Sequence, residues 1–276
     1  MNDLKDRIVM ITGASSGFGK EAAKMCVDLG AKVVLGARRE EKLKELCDEL
    51  GSDFAIYKTT DVTSKDQMHA LAQHGIDTFG KIDSLVNNAG VMPLSLLEKG
   101  RTDEWDHMID VNIKGVMNGT LACYKVMVEQ GFGHIINTAS VAGILPAPFV
   151  VSYGMTKHAV VGLSVSLRAQ ASRYGVRVSA LCPGFIETPI LEGGKYGRVG
   201  PKIVEKLKKR PLPLMAIAPE ALVKKVLPQI EKNKGLIVEP LQMKILWWLY
   251  RLSPSFVLWL VGKLWRLINK KMNLKS

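Results

Sequence analysis

The amino-acid sequence predicts an α/β fold: a doubly wound parallel sheet of about seven strands in one domain, followed by a helical C-terminal extension. Three observations carry that prediction. Short β-rich runs alternate with longer amphipathic stretches from the N-terminus onward, the pattern of strands joined by crossover helices. Most of these runs are near-continuously apolar, as strands buried on both faces are. The first run leads directly into a glycine-rich turn, Thr12-Gly13-Ala14-Ser15-Ser16-Gly17-Phe18-Gly19, with helical sequence behind it. The 276 residues suffice for a full-sized core, and 47% hydrophobic with 23% charged residues is ordinary for a globular chain.

In chain order, strands are predicted at 8–12, 32–36, 54–58, 84–87, 134–138, 177–181 and 236–238, with helices such as 19–29 and 40–50 between them. The turn after the first strand has glycines where a backbone must bend tightly and approach a pyrophosphate. The helix that follows offers unpaired N–H groups to that charge. The second strand ends at Gly36-Ala37-Arg38-Arg39. An acidic residue there would bind adenosine ribose hydroxyls and repel a 2′-phosphate, whereas two guanidinium groups suit phosphate. NADP(H) is therefore expected over NAD(H). Arg38 is the first choice as phosphate reader; Arg39 fits equally as a solvent-facing residue at the helix start.

Tyr153-Gly154-Met155-Thr156-Lys157 places a phenol and an ammonium one helical turn apart on one face. A free tyrosine has a pKa of about 10, and a neighbouring lysine cation is expected to favour the phenolate and bring it toward working range. Ser140, at the end of the fifth strand, has a hydroxyl able to steady a substrate oxygen. A YxxxK spacing alone recurs by chance on exposed helices. It gains force in register with a strand-end serine and the glycine-rich turn.

Residues 192–213 break the α/β rhythm with glycine, lysine and proline, and read as a mobile functional insertion between the sixth and seventh strands, with a solvated loop as the alternative. Cys26, Cys47, Cys123 and Cys182 form no CxxC or CxxH pattern, which argues against a zinc site or a disulfide framework. No HExxH motif is present either, so no metal is expected. With no apolar signal core at the N-terminus, a cytoplasmic protein is expected.

The net charge of +12 is uneven. Residues 241–276 contribute +7 of it, with no acidic residue, together with four of the five tryptophans. A nucleic-acid binder would spread its basic residues along a face of the fold, and none is expected here. Ser253-Pro254 should divide the extension into two helices. Neither is long enough to span a bilayer, but tryptophan, leucine and lysine together fit a helix lying in the membrane interface. Packing over the substrate cleft or onto another subunit is the other reading.

Across residues 5–240 the sequence resembles the short-chain dehydrogenase/reductase family. The resemblance rests on the TGxxxGxG turn, Asp61-Val62, Asn87-Asn88-Ala89-Gly90, Asn112, Ser140, Tyr153, Lys157 and Pro183-Gly184, all in family order. It implies a Rossmann-type domain over 1–240, with 241–276 as a basic, Trp-rich addition. It also implies that Gly13, Ser15, Ser16, Gly17, Phe18, Gly19, Arg38 and Arg39 bind cofactor, that Asp61 and Val62 contact adenine, and that Asn88, Ala89 and Gly90 line the adenosine ribose. Asn112 would distort its helix so that a carbonyl holds a water, completing a proton path through Lys157, which also binds the nicotinamide ribose. Pro183, Gly184, Ile186 and Thr188 would hold the nicotinamide end, Thr188 at the carboxamide. Phe18 replaces the usual Ile or Leu and Met155 sits inside the YxxxK, neither of which changes a chemical group.

The expectation is an NADP(H)-dependent oxidoreductase moving a hydride between nicotinamide and a carbonyl or secondary alcohol, with Tyr153 as acid/base and Ser140 holding the substrate oxygen. Leu145, Pro146, Phe149, Val150 and the extension favour an apolar substrate of lipid metabolism, such as a hydroxysteroid, a retinoid, or a long-chain ketone or aldehyde. One alternative is a 3-ketoacyl reductase whose acidic phosphopantetheine handle is drawn to residues 202–210. Another is a membrane-attached NADP(H)-binding scaffold without turnover. The resemblance also implies a homo-oligomer, dimer or tetramer.

Overall fold

The computed structural model describes residues 4–93, 97, 100–148, 150–192 and 216–272. Seven parallel strands form one sheet in the order β3-β2-β1-β4-β5-β6-β7. They are β1 (Ile8–Thr12), β2 (Lys32–Ala37), β3 (Ala55–Thr59), β4 (Ser84–Asn87), β5 (Gly133–Thr138), β6 (Val176–Pro183) and β7 (Leu236–Glu239). Phe54, expected inside the third strand, keeps its ring in solvent: its N–H turns back to Gly51 O, and only its carbonyl joins the ladder, accepting from Val33.

The helices are α1 (Gly17–Asp28), α2 (Glu40–Leu50), α3 (Lys65–Phe79), α4 (Thr102–Ile109), α5 (Gly115–Gln130), α6 (Val151–Ala171), α7 (Pro219–Glu231), α8 (Leu241–Leu252) and α9 (Pro254–Met272). A π-helical turn, Asp110–Lys114, joins α4 to α5. The strand period of two sends Val9 and Ile11 to one face of β1, against Leu43, Leu46 and Leu222, and Ile8 and Met10 to the other, against Met68, Leu71 and Met127. Each such side chain contributes about 1.5–3 kcal/mol by leaving water, so both faces of the sheet must be covered.

Because every strand runs the same way, the segments after β1, β2, β3, β4, β5 and β6 emerge along one edge. The strand order reverses between β1 and β4, opening a crevice at that edge. The extension packs beside β6 and β7, next to the loops that leave this edge. Met243, Leu246, Trp247 and Tyr250 of α8 pack with Ile144, Leu145, Cys182 and Val238. Ser253 N–H closes α8 on Leu249 O, Pro254 opens α9, and Val257 of α9 is buried. Among the described residues, no helix is long and apolar enough to cross a membrane.

Candidate active site

The crevice is built first from backbone. Gly13 has φ +67°, and a Cβ there would lie 2.8 Å from Ala89 Cα; a Cβ on Gly19 would lie 2.5 Å from Gly13 O. The turn is therefore drawn against both its own helix and the loop after β4, closer than any side chain permits. Thr12 locks this approach. Its hydroxyl donates to Val86 O and accepts from the N–H groups of Asn88 (3.0 Å) and Ala89 (3.1 Å), while Asn88 Nδ2 donates back to Thr12 O at 3.1 Å.

At the start of α1, Ser16 makes no side-chain cap and the first turn holds no acidic residue, so its N–H groups have no side-chain cap to satisfy them. Arg39 donates to Ser15 Oγ at 2.9 Å and Ser16 Oγ at 2.8 Å, gathering a guanidinium and two hydroxyls at that positive helix end. This arrangement fits the phosphates of a dinucleotide. Arg38, the first choice from sequence, is exposed without such a contact; Arg39 is the one drawn to the turn.

Asp61 Oδ1 accepts from the N–H and hydroxyl of Thr63, and Val62 packs on Gly115, where a Cβ would meet it at 2.6 Å. Beyond β6, Gly184 N–H donates to Glu239 O and Ile186 bridges Ile217. The chain then brings Thr188 back over α1, where a Cβ on Gly17 would meet Thr188 Cγ2 at 3.0 Å. Both ends of the crevice thus meet at the first helix.

Asn112 stands in the π turn, fully buried. Its amide donates to Val91 O (2.9 Å) and Thr156 Oγ1 (3.1 Å) and accepts from Val91 N–H (2.9 Å), tying the loop after β4 to α6. Gly90 lies beside this clasp: a Cβ there would be 3.3 Å from Asn112 Oδ1 and 3.6 Å from Lys157 Nζ. Ser140 caps the turn Val141–Gly143, its Oγ accepting from Ala142 N–H at 3.1 Å. Lys157 Nζ donates to Thr138 O at 2.7 Å and sits 5.5 Å from the centre of the Tyr153 ring.

Burial governs the electrostatics here. It pushes the Tyr153 phenol up to about 12, with a hydrogen bond to Ser140 opposing it, and pulls Lys157 down to about 8. The expectation that the lysine would set the phenol's acidity is corrected accordingly. Lys157 spends a donor on Thr138 O, and desolvation is the largest influence on the phenol.

Residues 7–195 match the family described as short chain dehydrogenase. The chain belongs to the short-chain dehydrogenase family.

An uncharacterized oxidoreductase of Staphylococcus saprophyticus is 46% identical over 194 residues, 70% of this chain and 79% of that one. A 3-ketoacyl-(acyl-carrier-protein) reductase of Brucella melitensis, solved with NADH, superposes with TM-score 0.74 at 29% identity, covering 86% of this chain and 97% of that one. A serine dehydrogenase solved with NADP+ gives TM-score 0.77 at 32% identity, covering 85% and 95%.

As a short-chain dehydrogenase the protein is an oxidoreductase. Its structure brings Asn112, Ser140, Tyr153 and Lys157 into one buried cluster, with the glycine-rich turn and Pro183–Thr188 along the same edge. Leu145 turns into the core instead of lining the cleft, and Phe149 and the expected functional segment 193–213 lie outside the described residues. Reading the sequence did not single out Thr12 or Thr156. Thr12 opens the TGxxxGxG motif and Thr156 sits inside YxxxK, so each was visible only as a filler position, and only the fold shows what its hydroxyl holds.

Proposed function

We propose that this dehydrogenase uses NADP(H) to interconvert a carbonyl and a secondary alcohol on an apolar substrate of the hydroxysteroid, retinoid or long-chain ketone and aldehyde classes. The observation that carries the reading is the buried Ser140–Tyr153–Lys157 cluster at the carboxyl edge of the sheet. Arg39 at the Ser15 and Ser16 hydroxyls, with no carboxylate in Ala37-Arg38-Arg39, supports NADP(H). Phe185, apolar and exposed next to Gly184, supports an apolar substrate. Apolar side chains exposed on α5 and α6, Met117, Leu121 and Val165, support a homo-oligomer, dimer or tetramer. The protein works in the cytoplasm, with its extension in peripheral contact with a membrane.

The bound nicotinamide supplies or takes up the hydride. Everything else falls to the chain. Asn88, Ala89 and Gly90 shape the wall along which the adenosine ribose lies, and Asp61 and Val62 border the adenine end. Ser140 donates to the substrate oxygen and so fixes where negative charge develops. Tyr153, with its pKa near 12, is protonated at neutral pH and gives its proton to that oxygen during reduction. Lys157, an ammonium below pH 8, is the group that restores the proton and binds the nicotinamide ribose. Asn112 holds the loop after β4 at a set distance from α6, and the carbonyl of its π turn holds the water that links Lys157 to solvent.

The test is loss of NADPH absorbance with steroid, retinoid, long-chain and 3-ketoacyl carbonyls, run in parallel with NADH. NADPH should win, and Tyr153→Phe should bind it normally while losing about 10²–10⁴ in kcat. Turnover confined to 3-ketoacyl compounds would replace the substrate reading. Tight NADPH binding without turnover would make the protein a scaffold.

A further inference from the structure

Helix α8 has two apolar faces, and only one is used. Met243, Leu246, Trp247 and Tyr250 point into the fold. About half a turn away, Leu241, Ile245, Trp248, Leu249 and Leu252 face solvent, Leu252 at 80% exposure. On α9, Val257 is buried while Phe256, Trp259, Leu264 and Leu267 are exposed. An ordinary surface helix is polar on its outer side, so these faces are built for an occupant.

We infer that the outward faces of α8 and α9 dock on an anionic lipid bilayer and hold the mouth of the active site at its surface. This rests on the reading of the protein as an oxidoreductase for apolar substrates, and it names where such a substrate comes from.

Charge selects the occupant. Residues 241–276 hold seven Lys and Arg and no acidic residue. A second copy would bring the same positive field against itself, whereas an anionic leaflet complements it. The cations also sit where an interface needs them. Arg251 lies 5.1 Å and 5.3 Å from the Trp247 and Trp248 rings, and Lys263 lies 5.1 Å from Trp259, which in turn stacks on Phe256 at 6.0 Å. An indole beside an ammonium or guanidinium matches the boundary between headgroups and acyl chains. Since no described helix is long and apolar enough to cross, the helices lie in the surface.

The inner face of α8 fixes the orientation. A Cβ on Gly184 would meet Met243 Cγ and Pro240 Cδ, both at 3.1 Å, and Leu145, just beyond Ser140, packs in the same cluster as Met243. A bilayer on the outer face of α8 is therefore about one helix diameter, roughly 10 Å, from the loops that carry Ser140 and Gly184. A ketone or alcohol dissolved in that bilayer reaches the cleft without a long path through water.

Flotation of the full-length protein with phosphatidylcholine vesicles, with and without phosphatidylglycerol, tests the docking. The parent should float with the anionic vesicles. The variant Trp248→Glu, Leu252→Glu, Trp259→Glu should lose at least roughly tenfold in bound fraction while keeping its NADPH affinity. Equal flotation of the two proteins, or none of the parent, overturns the docking. So does a parent that elutes as a larger assembly than the variant, which would give the face to a second copy. The orientation is read separately. Reduction of a bilayer-dissolved long-chain ketone should fall in the variant by a similar factor, and that of a water-soluble ketone should not change. Equal rates on the bilayer-dissolved ketone overturn the placement of the mouth. No NADPH oxidation with either ketone counts against the oxidoreductase reading alone, since flotation still decides the docking.

Discussion

The floor of the candidate active site and the C-terminal helices depart from ordinary burial in opposite directions. Around Tyr153 the chain buries polar groups: Asn112 and Thr156 at 0% exposure and Lys157 at 2%, with Asn87 and Asn137 beneath them. Along α8 and α9 it exposes apolar ones. The first departure is sustained from within, because Asn112, Thr156 and Lys157 each reach an acceptor at 2.7–3.1 Å. Leaving one such group unsatisfied would cost about 1–3 kcal/mol. Among the described residues, nothing offsets the second departure. Each of these side chains, most of them about half exposed, forgoes roughly half of the 1.5–3 kcal/mol that full burial gives a large apolar side chain. Buried polarity thus marks chemistry done by the fold itself, and exposed apolarity marks a contact the fold awaits.

The largest expected effect that sharpens this contrast is at His134. It is buried on β5 with Nε2 2.8 Å from Ser179 Oγ. Ser179 gives its own proton to Lys234 O, so the imidazole Nε2 must be the donor. Burial, helped by the charges of Arg177 and Arg168, pulls its pKa down to about 3. Below about pH 6.5 the unfolded chain takes up a proton that the folded chain refuses. Stability from this group is therefore complete above pH 6.5 and is lost as pH falls toward 3, by about 3 kcal/mol on reaching pH 4. Urea unfolding at neutral pH and near pH 4 should show that loss in the parent and not in His134→Asn. The same pH slope in both would refute it.

A smaller effect of opposite sign is expected at Lys157. Its pKa falls from 10.5 to about 8, so the cost of burying the ammonium is present below pH 8 and is relieved as pH rises toward 10.5. Lys157→Met removes that cost along with the bond to Thr138 O. The variant should be inactive yet about 1–2 kcal/mol more stable near neutrality, with the gain shrinking in alkaline melts. A less stable variant would mean that the lysine is held for structure and not for chemistry.

The smallest effect belongs to the other region. Trp248→Glu, Leu252→Glu, Trp259→Glu removes three large apolar side chains, yet its unfolding free energy should stay within about 1 kcal/mol of the parent, because none of the three is buried in the fold. A drop of several kcal/mol would show that these faces already pack on something within the protein.

Much of this molecule was legible before its structure. The strands betrayed themselves because burial on two faces leaves no polar position in the middle of a run, as Ile8–Thr12 and Lys32–Ala37 show. The pairing of Tyr153 with Lys157 was visible because two groups four residues apart share one face of a helix. Arg39 was harder to read. It and Arg38 are chemically identical neighbours, and only the path of the backbone after β2 sends one guanidinium to Ser15 and Ser16.

The sequence by itself determined the sheet, its crossovers, the tyrosine with its lysine, and a charged aromatic tail, because each is written in periodicity or local spacing. The tertiary structure alone decided which arginine meets the turn, how far burial shifts Tyr153 and Lys157, and which face of α8 is left outside. Those are questions of distance and solvent exclusion between segments remote in the chain, and neither quantity exists until the chain has folded.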